Sequence, residues 1–232
     1  MTMTATRQSK VSHPLFARIY PKINAVAEAH GAIEHRQELL AEATGLVVEI
    51  GAGTGANFCH YPPRADRVIA VEPEPRLRAQ AERAAADARV HVEVRAGRAE
   101  ALPVPDSSAD AVVASLVLCT IADVPKALAE AARVLKPGGR LFFYEHIRSA
   151  NPRFARKQRI VNLVWPLLGG GCNLTRDSEQ AIRDAGFTIE RARHFDFVIK
   201  GRATPSAPCV IGTARKPASP ASTPAAGADA GG

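Results

Sequence analysis

A short apolar run followed by three closely spaced glycines constrains the fold of this chain more than any other feature. Residues 46–50 read Leu-Val-Val-Glu-Ile, and Gly51, Gly53 and Gly55 follow at once, with Thr54 between the last two. An apolar run of this length is typical of a buried parallel strand. The glycines permit a tight turn and a close approach of the backbone to a ligand that a β-carbon would block. The sequence predicts a ligand-binding loop between a strand and a helix, although a tight turn without a ligand would use the same glycines.

Strand-like and helix-like segments alternate along the rest of the chain. Apolar runs predict further strands at residues 67–71, 91–95, 111–115, 140–145, 188–195 and 209–214. Helical spacing predicts helices at residues 74–87, 124–135 and 178–185. Such alternation implies an α/β fold with helices on both faces of a mostly parallel sheet. We therefore predict a Rossmann-like sheet of seven strands, with the last two forming an antiparallel hairpin at one edge.

The predicted sheet domain covers residues 45–215 and carries two helical additions. Apolar residues recur every three or four positions between residues 13 and 44, which predicts a helical cap broken at Pro21 and Gly31. A lid is predicted at residues 150–175, because this connecting segment is unusually rich in apolar side chains. Three roles stay open for those side chains: they cover an apolar ligand, touch a membrane surface or pack on the sheet.

Both ends of the chain are predicted to be disordered. Residues 1–12 are polar, and residues 216–232 consist almost wholly of Pro, Ala, Ser, Thr and Gly. Such compositions do not bury enough apolar surface to offset the entropy of ordering. We find no signal-peptide core and no run of about 20 apolar residues that would span a bilayer.

Charge and cysteine content narrow the class of protein further. The formal net charge is +7, but the basic residues are spread out and only 5% of residues are aromatic. A nucleic-acid binder would usually concentrate its positive charge, so we do not expect a nucleic-acid partner. The four cysteines lie far apart without a C-x-x-C pair, so metal-ligand spacing is absent and a reduced, cytoplasmic setting is expected.

An acidic residue at the end of the second predicted strand strengthens the case for a ligand. Glu72 follows Val71, stands nineteen residues after Gly53, and precedes Pro73. A carboxylate at this place accepts hydrogen bonds from ribose hydroxyls in nucleotide-binding sheets. A charge that simply caps the next helix is the plainer alternative, and the upstream glycines favour the ribose role.

The glycine spacing argues against a nicotinamide dinucleotide. That class requires G-x-G-x-x-G, whereas the spacing here is G-x-G-x-G. Glu49, immediately before the loop, would also repel a pyrophosphate. The same carboxylate suits the ammonium group of an amino acid.

Five motifs between residues 45 and 145 resemble the class I S-adenosylmethionine-dependent methyltransferases. They read, in order, E-I-G-A-G-T-G, V-E-P, G-R-A-E-A-L-P, D-A-V-V-A-S-L-V-L-C and V-L-K-P-G-G. The resemblance implies S-adenosyl-L-methionine as the cofactor and a small-molecule methyl acceptor. Relatives often carry Asp at the position of Arg98, so this resemblance leaves the adenine amino group to backbone atoms at Ala99.

The resemblance also assigns cofactor-binding residues. Those around the methionine moiety would be Glu49, Gly51, Gly53, Thr54 and Gly55. Those around the ribose and adenine would be Glu72, Pro73, Arg98, Ala99, Glu100, Leu116 and Val117.

Four further motifs resemble the methyltransferase-like alkyl thiol methyltransferases. They are G-A-N-F-C-H-Y-P, S-L-V-L-C-T, Y-E-H and G-C-N-L-T-R. Members of that family act on alkyl thiols and attach to membranes through an N-terminal hydrophobic helix, which has no counterpart among the first residues here. Quinone and phospholipid methyltransferases share much of the pattern, so a quinone-type C- or O-methyltransferase is the main alternative. A non-catalytic protein that binds the cofactor is the other.

His146 is the candidate general base. It follows Glu145 at the end of a predicted strand, at the sheet edge where α/β proteins bind ligands. A histidine that only orders the next loop is an equal alternative. A thiol acceptor would need little help from a base, because a thiol with a pKa of about 8.5 is partly ionised at neutral pH. Cys119 is expected to be a core thiol and Cys172 to lie in the lid.

Overall fold

The computed structural model describes residues 14–218. The predicted disordered segment at residues 1–12 and most of that at residues 216–232 lie outside this range. The strands are β1 (Gly45–Ile50), β2 (Ala65–Val71), β3 (His91–Arg95), β4 (Ala109–Ser115), β5 (Leu135–His146), β6 (Thr188–Ile199) and β7 (Arg202–Arg215). The helices are α1 (Pro14–Ala27), α2 (Ile33–Leu40), α3 (Pro75–Ala86), α4 (Val124–Val134), α5 (Pro152–Val161), α6 (Trp165–Leu168) and α7 (Ser178–Asp184).

The strands form one seven-stranded sheet in the order β3-β2-β1-β4-β5-β7-β6. The first five strands are parallel, and β7 runs antiparallel to both β5 and β6. The predicted fold class and the edge hairpin are confirmed. The strand order reverses between β1 and β4, and the carboxyl ends of these two strands leave a crevice where α/β sheets bind ligands.

Apolar side chains cover both faces of the sheet. Phe142 and Phe143 are adjacent in β5 and point to opposite faces, as the period of two in a strand requires. Phe143 packs in the cluster that contains Leu128 of α4, whereas Phe142 packs in the cluster that contains Leu39 and Leu40 of α2. The sheet is therefore a rigid platform, and the predicted cap supplies part of one face.

The cap differs from the sequence prediction at one point. Helix α1 continues through Pro21, so the predicted break there is wrong, although proline removes a backbone hydrogen bond within the helix. The break at Gly31 is confirmed, since this residue has φ +101° and lies in a kinked turn, Glu28–Ala32. The predicted apolar face of α1 is largely open to solvent: Ile19 and Ile23 are 41% and 49% exposed.

The segment predicted as a lid contains α5 and α6 and leaves most of its large apolar side chains exposed. Leu163 and Leu167 are 81% and 82% exposed. Packing on the sheet therefore does not account for them. Among residues 14–218, no helix is long and apolar enough to cross a membrane.

Candidate cofactor site

A cavity of about 250 Å³ opens at the carboxyl ends of β1, β2 and β4. Residues from these strand ends, from α1 and from the lid line it. They include Phe16, Ala17, Tyr20, Ile50, Gly51, Gly53, Glu72, Pro73, Glu74, Leu77, Arg98, Ala99, Glu100, Ser115, Leu116, Val117, Thr120, Ile121, Ala122 and Gly170. Nine of the twelve residues assigned to the cofactor from the sequence line this cavity; Glu49, Thr54 and Gly55 do not.

The glycine loop adopts the backbone conformation that glycine permits. Gly51 and Gly53 have φ of +66° and +58°. A β-carbon built on Gly51 would lie 2.3 Å from Cγ2 of Val117, so the two residues are in contact. The loop backbone thus packs directly against the end of β4, and both line the cavity.

Glu72 joins the glycine loop to the end of β2. Its Oε2 accepts a hydrogen bond of 2.8 Å from the backbone N–H of Gly53, and its Oε1 accepts one of 2.8 Å from the N–H of Glu74. Burial raises the pKa of Glu72 to about 6, because desolvation disfavours the ionised carboxylate. The helix-cap role considered for Glu72 belongs instead to Glu74, whose side chain accepts from the N–H groups of Arg76 and Leu77.

Glu49 lies behind the glycine loop and does not line the cavity. It is 1% exposed, and its two carboxylate oxygens accept hydrogen bonds from Asn57 Nδ2 and Tyr61 OH, both at 2.8 Å. Burial raises the pKa of Glu49 to about 7. Arg36 of α2 donates to Asn57 Oδ1 at 2.7 Å, so the cap is tied to this buried network.

Tyr20 closes the cavity from the side of the cap. A β-carbon on Gly53 would meet its ring at 3.2 Å, so the tyrosine covers the glycine loop directly. Burial raises the pKa of Tyr20, and Arg36 partly opposes this rise. Sequence reasoning missed Tyr20 and Arg36, because nothing in the helical spacing of the cap indicates which residues face a distant loop.

The segment after β3 supplies the opposite wall. Arg98, Ala99 and Glu100 all line the cavity, and the Arg98 guanidinium lies 3.3 Å from the Glu100 carboxylate. Positive charge at the position where relatives carry Asp is therefore compensated locally by Glu100.

The end of β4 holds a strained residue. Leu116 has φ +55°, which is uncommon for a residue with a β-carbon and costs about 1–3 kcal/mol. The backbone N–H of Leu116 donates to Tyr144 O at 2.6 Å. The buried Glu145 carboxylate accepts from the N–H groups of the next three residues, Val117, Leu118 and Cys119. These contacts hold Leu116 and Val117 against the cavity.

His146 lies off the cavity wall and contacts two thiols. Its Nδ1 is 3.8 Å from Cys119 Sγ and 3.6 Å from Cys172 Sγ. Hydrogen bonding from Cys119, assisted by His146, lowers the pKa of the Cys172 thiol. Cys119 is buried, as expected of a core thiol, but the sequence did not indicate that it meets His146 and Cys172, because the three residues are far apart in the chain.

Alanine variants of two glycines distinguish the stability cost of a steric clash from that of backbone strain. Gly51→Ala places a methyl group against Val117, whereas Gly138→Ala, at φ +76°, meets nothing within 4 Å. Each variant costs about 1 kcal/mol for the left-handed conformation, and Gly51→Ala costs a further 1–3 kcal/mol or so for overpacking. Urea unfolding measures both, and an equal loss of stability would contradict the crowding.

Comparisons with known proteins agree with this geometry. A family profile described as "Methyltransferase domain" matches residues 48–143. Human thiol S-methyltransferase TMT1A is 37% identical over 153 residues, which cover 64% of this chain and 62% of that protein. Rat thiol S-methyltransferase TMT1B (Rattus norvegicus) is 37% identical over 180 residues, which cover 75% of this chain and 72% of that protein.

A solved structure supports the fold. An S-adenosylmethionine-dependent methyltransferase from Thermotoga maritima superposes with a TM-score of 0.65 at 23% identity, over 87% of this chain and 98% of that one. With the sheet order and the loop, these matches make the chain a class I S-adenosylmethionine-dependent methyltransferase. It belongs to the family that includes TMT1A and TMT1B, although the matched region spans slightly less than two thirds of human TMT1A.

Proposed function

We propose that this protein transfers a methyl group from S-adenosylmethionine to a small lipophilic thiol. The observation that carries the proposal is the cavity at the switch point of the sheet, where the glycine loop and the Glu72 carboxylate converge. The thiol acceptor is supported by the two relatives, both of which are named thiol S-methyltransferases.

The residues around the cavity fit the cofactor. Glu72 presents a carboxylate suited to ribose hydroxyls, and the backbone of Gly51 and Gly53 lines the cavity beside it. Arg98, Ala99 and Glu100 would hold the adenine, as would Leu116 and Val117 on the other side, with Pro73 near the ribose. We assign Glu49, Thr54 and Gly55 a supporting role behind the loop. When bound, the cofactor supplies a methyl group already activated by its sulfonium.

The cavity favours an acceptor that needs no strong base. Its carboxylates are engaged: Glu72 and Glu74 accept backbone N–H groups, and Glu100 pairs with Arg98. Methylation of a quinol carbon or a phenol would need general-base assistance, and His146 lies outside the cavity lining. A thiol is partly ionised at neutral pH without such help.

Methyl transfer to a panel of acceptors tests the proposal. We expect labelled S-adenosylmethionine to methylate lipophilic thiols, and not quinols, phenols or amines of similar size. Glu72→Ala serves as the negative control. Turnover on quinols alone would replace the proposal by the quinone-type alternative, and tight cofactor binding without turnover on any acceptor would favour a non-catalytic binding protein.

We further propose that the lid contacts an anionic membrane surface. Besides Leu163 and Leu167, it exposes Ile160, Val164 and Leu168. Helix α5 adds exposed basic side chains and contains no acidic residue; these are Arg153, Arg156, Lys157 and Arg159. Apolar side chains beside basic ones are the features that bind a protein to an anionic interface. A lipophilic thiol would reach the cavity from that surface.

Vesicle co-sedimentation tests the membrane contact. We expect binding to phosphatidylserine-containing vesicles, and at least about a tenfold loss of binding in the Leu163→Glu/Leu167→Glu variant. Ala79→Glu/Ala86→Glu adds the same charge to an exposed face of α3 and should bind normally. Equal losses of vesicle binding in both double variants would show that the added negative charge, and not the loss of the exposed leucines, causes the effect.

A further inference from the structure

Three side chains that do not line the cofactor cavity lie close together beside it. Cys119 follows β4, His146 ends β5, and Cys172 lies in the loop after α6. Their Sγ and imidazole nitrogen atoms all lie within 4.8 Å of one another. Cys119 and Cys172 are 0% and 5% exposed and His146 is half-buried, so the two thiols lie in an almost dry site.

The spacing of these atoms matches a tetrahedral metal site. With bonds of about 2.3 Å to sulfur and about 2.0 Å to nitrogen, sulfur and nitrogen ligands of tetrahedral Zn²⁺ lie about 3.5 Å apart. The observed separations from His146 Nδ1 are 3.6 Å to Cys172 Sγ and 3.8 Å to Cys119 Sγ. Two thiolates and an imidazole are also the donor set that a soft divalent cation prefers.

Hydrogen bonds fix Cys119 and the loop that carries Cys172 before any ion arrives. The N–H of Cys119 donates to Glu145 Oε2 at 3.0 Å, and the carbonyl of Cys119 accepts from Asn173 N at 2.8 Å. Asn162 accepts from Leu174 N at 2.8 Å and donates to Asn173 Oδ1 at 3.1 Å, which holds the loop that carries Cys172. Two of the three side chains are therefore held in place without an ion.

We propose that Cys119, His146 and Cys172 bind a soft divalent cation such as Zn²⁺ and leave its fourth position for an exogenous thiol. Three protein ligands with one open position are the arrangement of zinc sites that bind substrate. The cluster adjoins the cavity on two sides, because Thr120 next to Cys119 and Gly170 near Cys172 both line it. A thiol that binds there releases its proton to solvent and is held as the thiolate. This role of the fourth position rests on the proposed thiol acceptor.

Metal content and cobalt spectra test the site. The full chain is reduced, stripped of metal, equilibrated with Zn²⁺ and freed of excess ion; we expect roughly one equivalent to remain. Cys172→Ser and His146→Ala should each weaken Zn²⁺ binding by more than about 100-fold, beyond the effect of losing an outer hydrogen-bond partner. Cys59→Ser, which removes an exposed cysteine outside the cluster, should retain the ion. The Co²⁺ protein should show thiolate charge-transfer absorption that changes when a small thiol is added.

Two outcomes would overturn the proposal separately from the proposed function. Failure of the wild-type protein to retain Zn²⁺, or equal loss of Zn²⁺ in Cys59→Ser, would leave the cluster as a hydrogen-bonded pair of thiols and an imidazole. Thiol methylation at an unchanged rate in metal-free protein would remove the fourth-position role while the proposed function stands. A metal-loaded protein that methylates no thiol would instead remove the proposed function and that role, while the metal site itself stands.

Discussion

Glu72→Ala should weaken cofactor binding by about 100-fold or more. Two hydrogen bonds between ribose hydroxyls and an ionised carboxylate contribute about 1.5–3 kcal/mol each, and the variant also leaves the N–H groups of Gly53 and Glu74 without their acceptor. Calorimetric titration with S-adenosylhomocysteine measures the effect, and circular dichroism checks that the fold persists.

A second carboxylate provides the matched control. Glu93 stands on β3 and pairs with Arg67 and Arg95, outside the cavity lining. Glu93→Ala removes the same number of atoms and one charge, and it should bind the cofactor about as well as the wild type. Binding by Glu72→Ala within about threefold of the wild type would show that Glu72 does not hold the ribose.

Glu49→Gln should stabilise the cofactor-free protein at pH 8 and not at pH 4.5. Because the folded-state pKa of Glu49 is about 7 and its ordinary value is 4.5, the folded protein holds an extra proton between these pH values. Stability from this group therefore rises as pH falls from about 8 to about 4.5, and above pH 7 the buried charge is a penalty. Glutamine removes the charge, can still accept from Asn57 and can donate to the Tyr61 oxygen.

The expected gain at pH 8 is about 1–3 kcal/mol in the free energy of unfolding. Urea unfolding of both proteins across this pH range measures the difference, which should shrink as the solution becomes more acidic. Glu93→Gln gives the opposite sign at pH 8, because the Arg95 and Arg67 partners hold the pKa of Glu93 at about 2. A Glu49→Gln variant that is less stable than the wild type at pH 8 would show that the ionised carboxylate is needed by its partners.

Local patterns predicted the sheet and most of the cavity, because both depend on short stretches of sequence. The apolar run before Gly51 defines β1, and Glu72 follows β2 at the spacing expected of a ribose-binding carboxylate. β6 and β7 extend beyond their predicted ends, to Ile199 and from Arg202, because backbone pairing continues up to the turn, as in the pair Val198 and Ala203.

Contacts between distant segments were not predictable in the same way. Tyr20 reaches the glycine loop only because α1 lies across it. Cys119, His146 and Cys172 lie close together because two strand ends and one loop converge. Their spacing in the sequence does not indicate this contact. Proline at position 21 predicted a break, yet α1 continues through it, so the propensity of this one residue did not decide where the helix ends.

The contact between Phe16 and Gly170 has a kinetic consequence. A β-carbon on Gly170 would lie 2.6 Å from the Phe16 ring, so the cap and the lid touch at the rim of the cavity. Anything that enters or leaves past this rim must separate the cap from the lid, which are distant from each other in the chain. We expect substitutions at this contact to change the rate of exchange past the rim rather than the chemistry of methyl transfer.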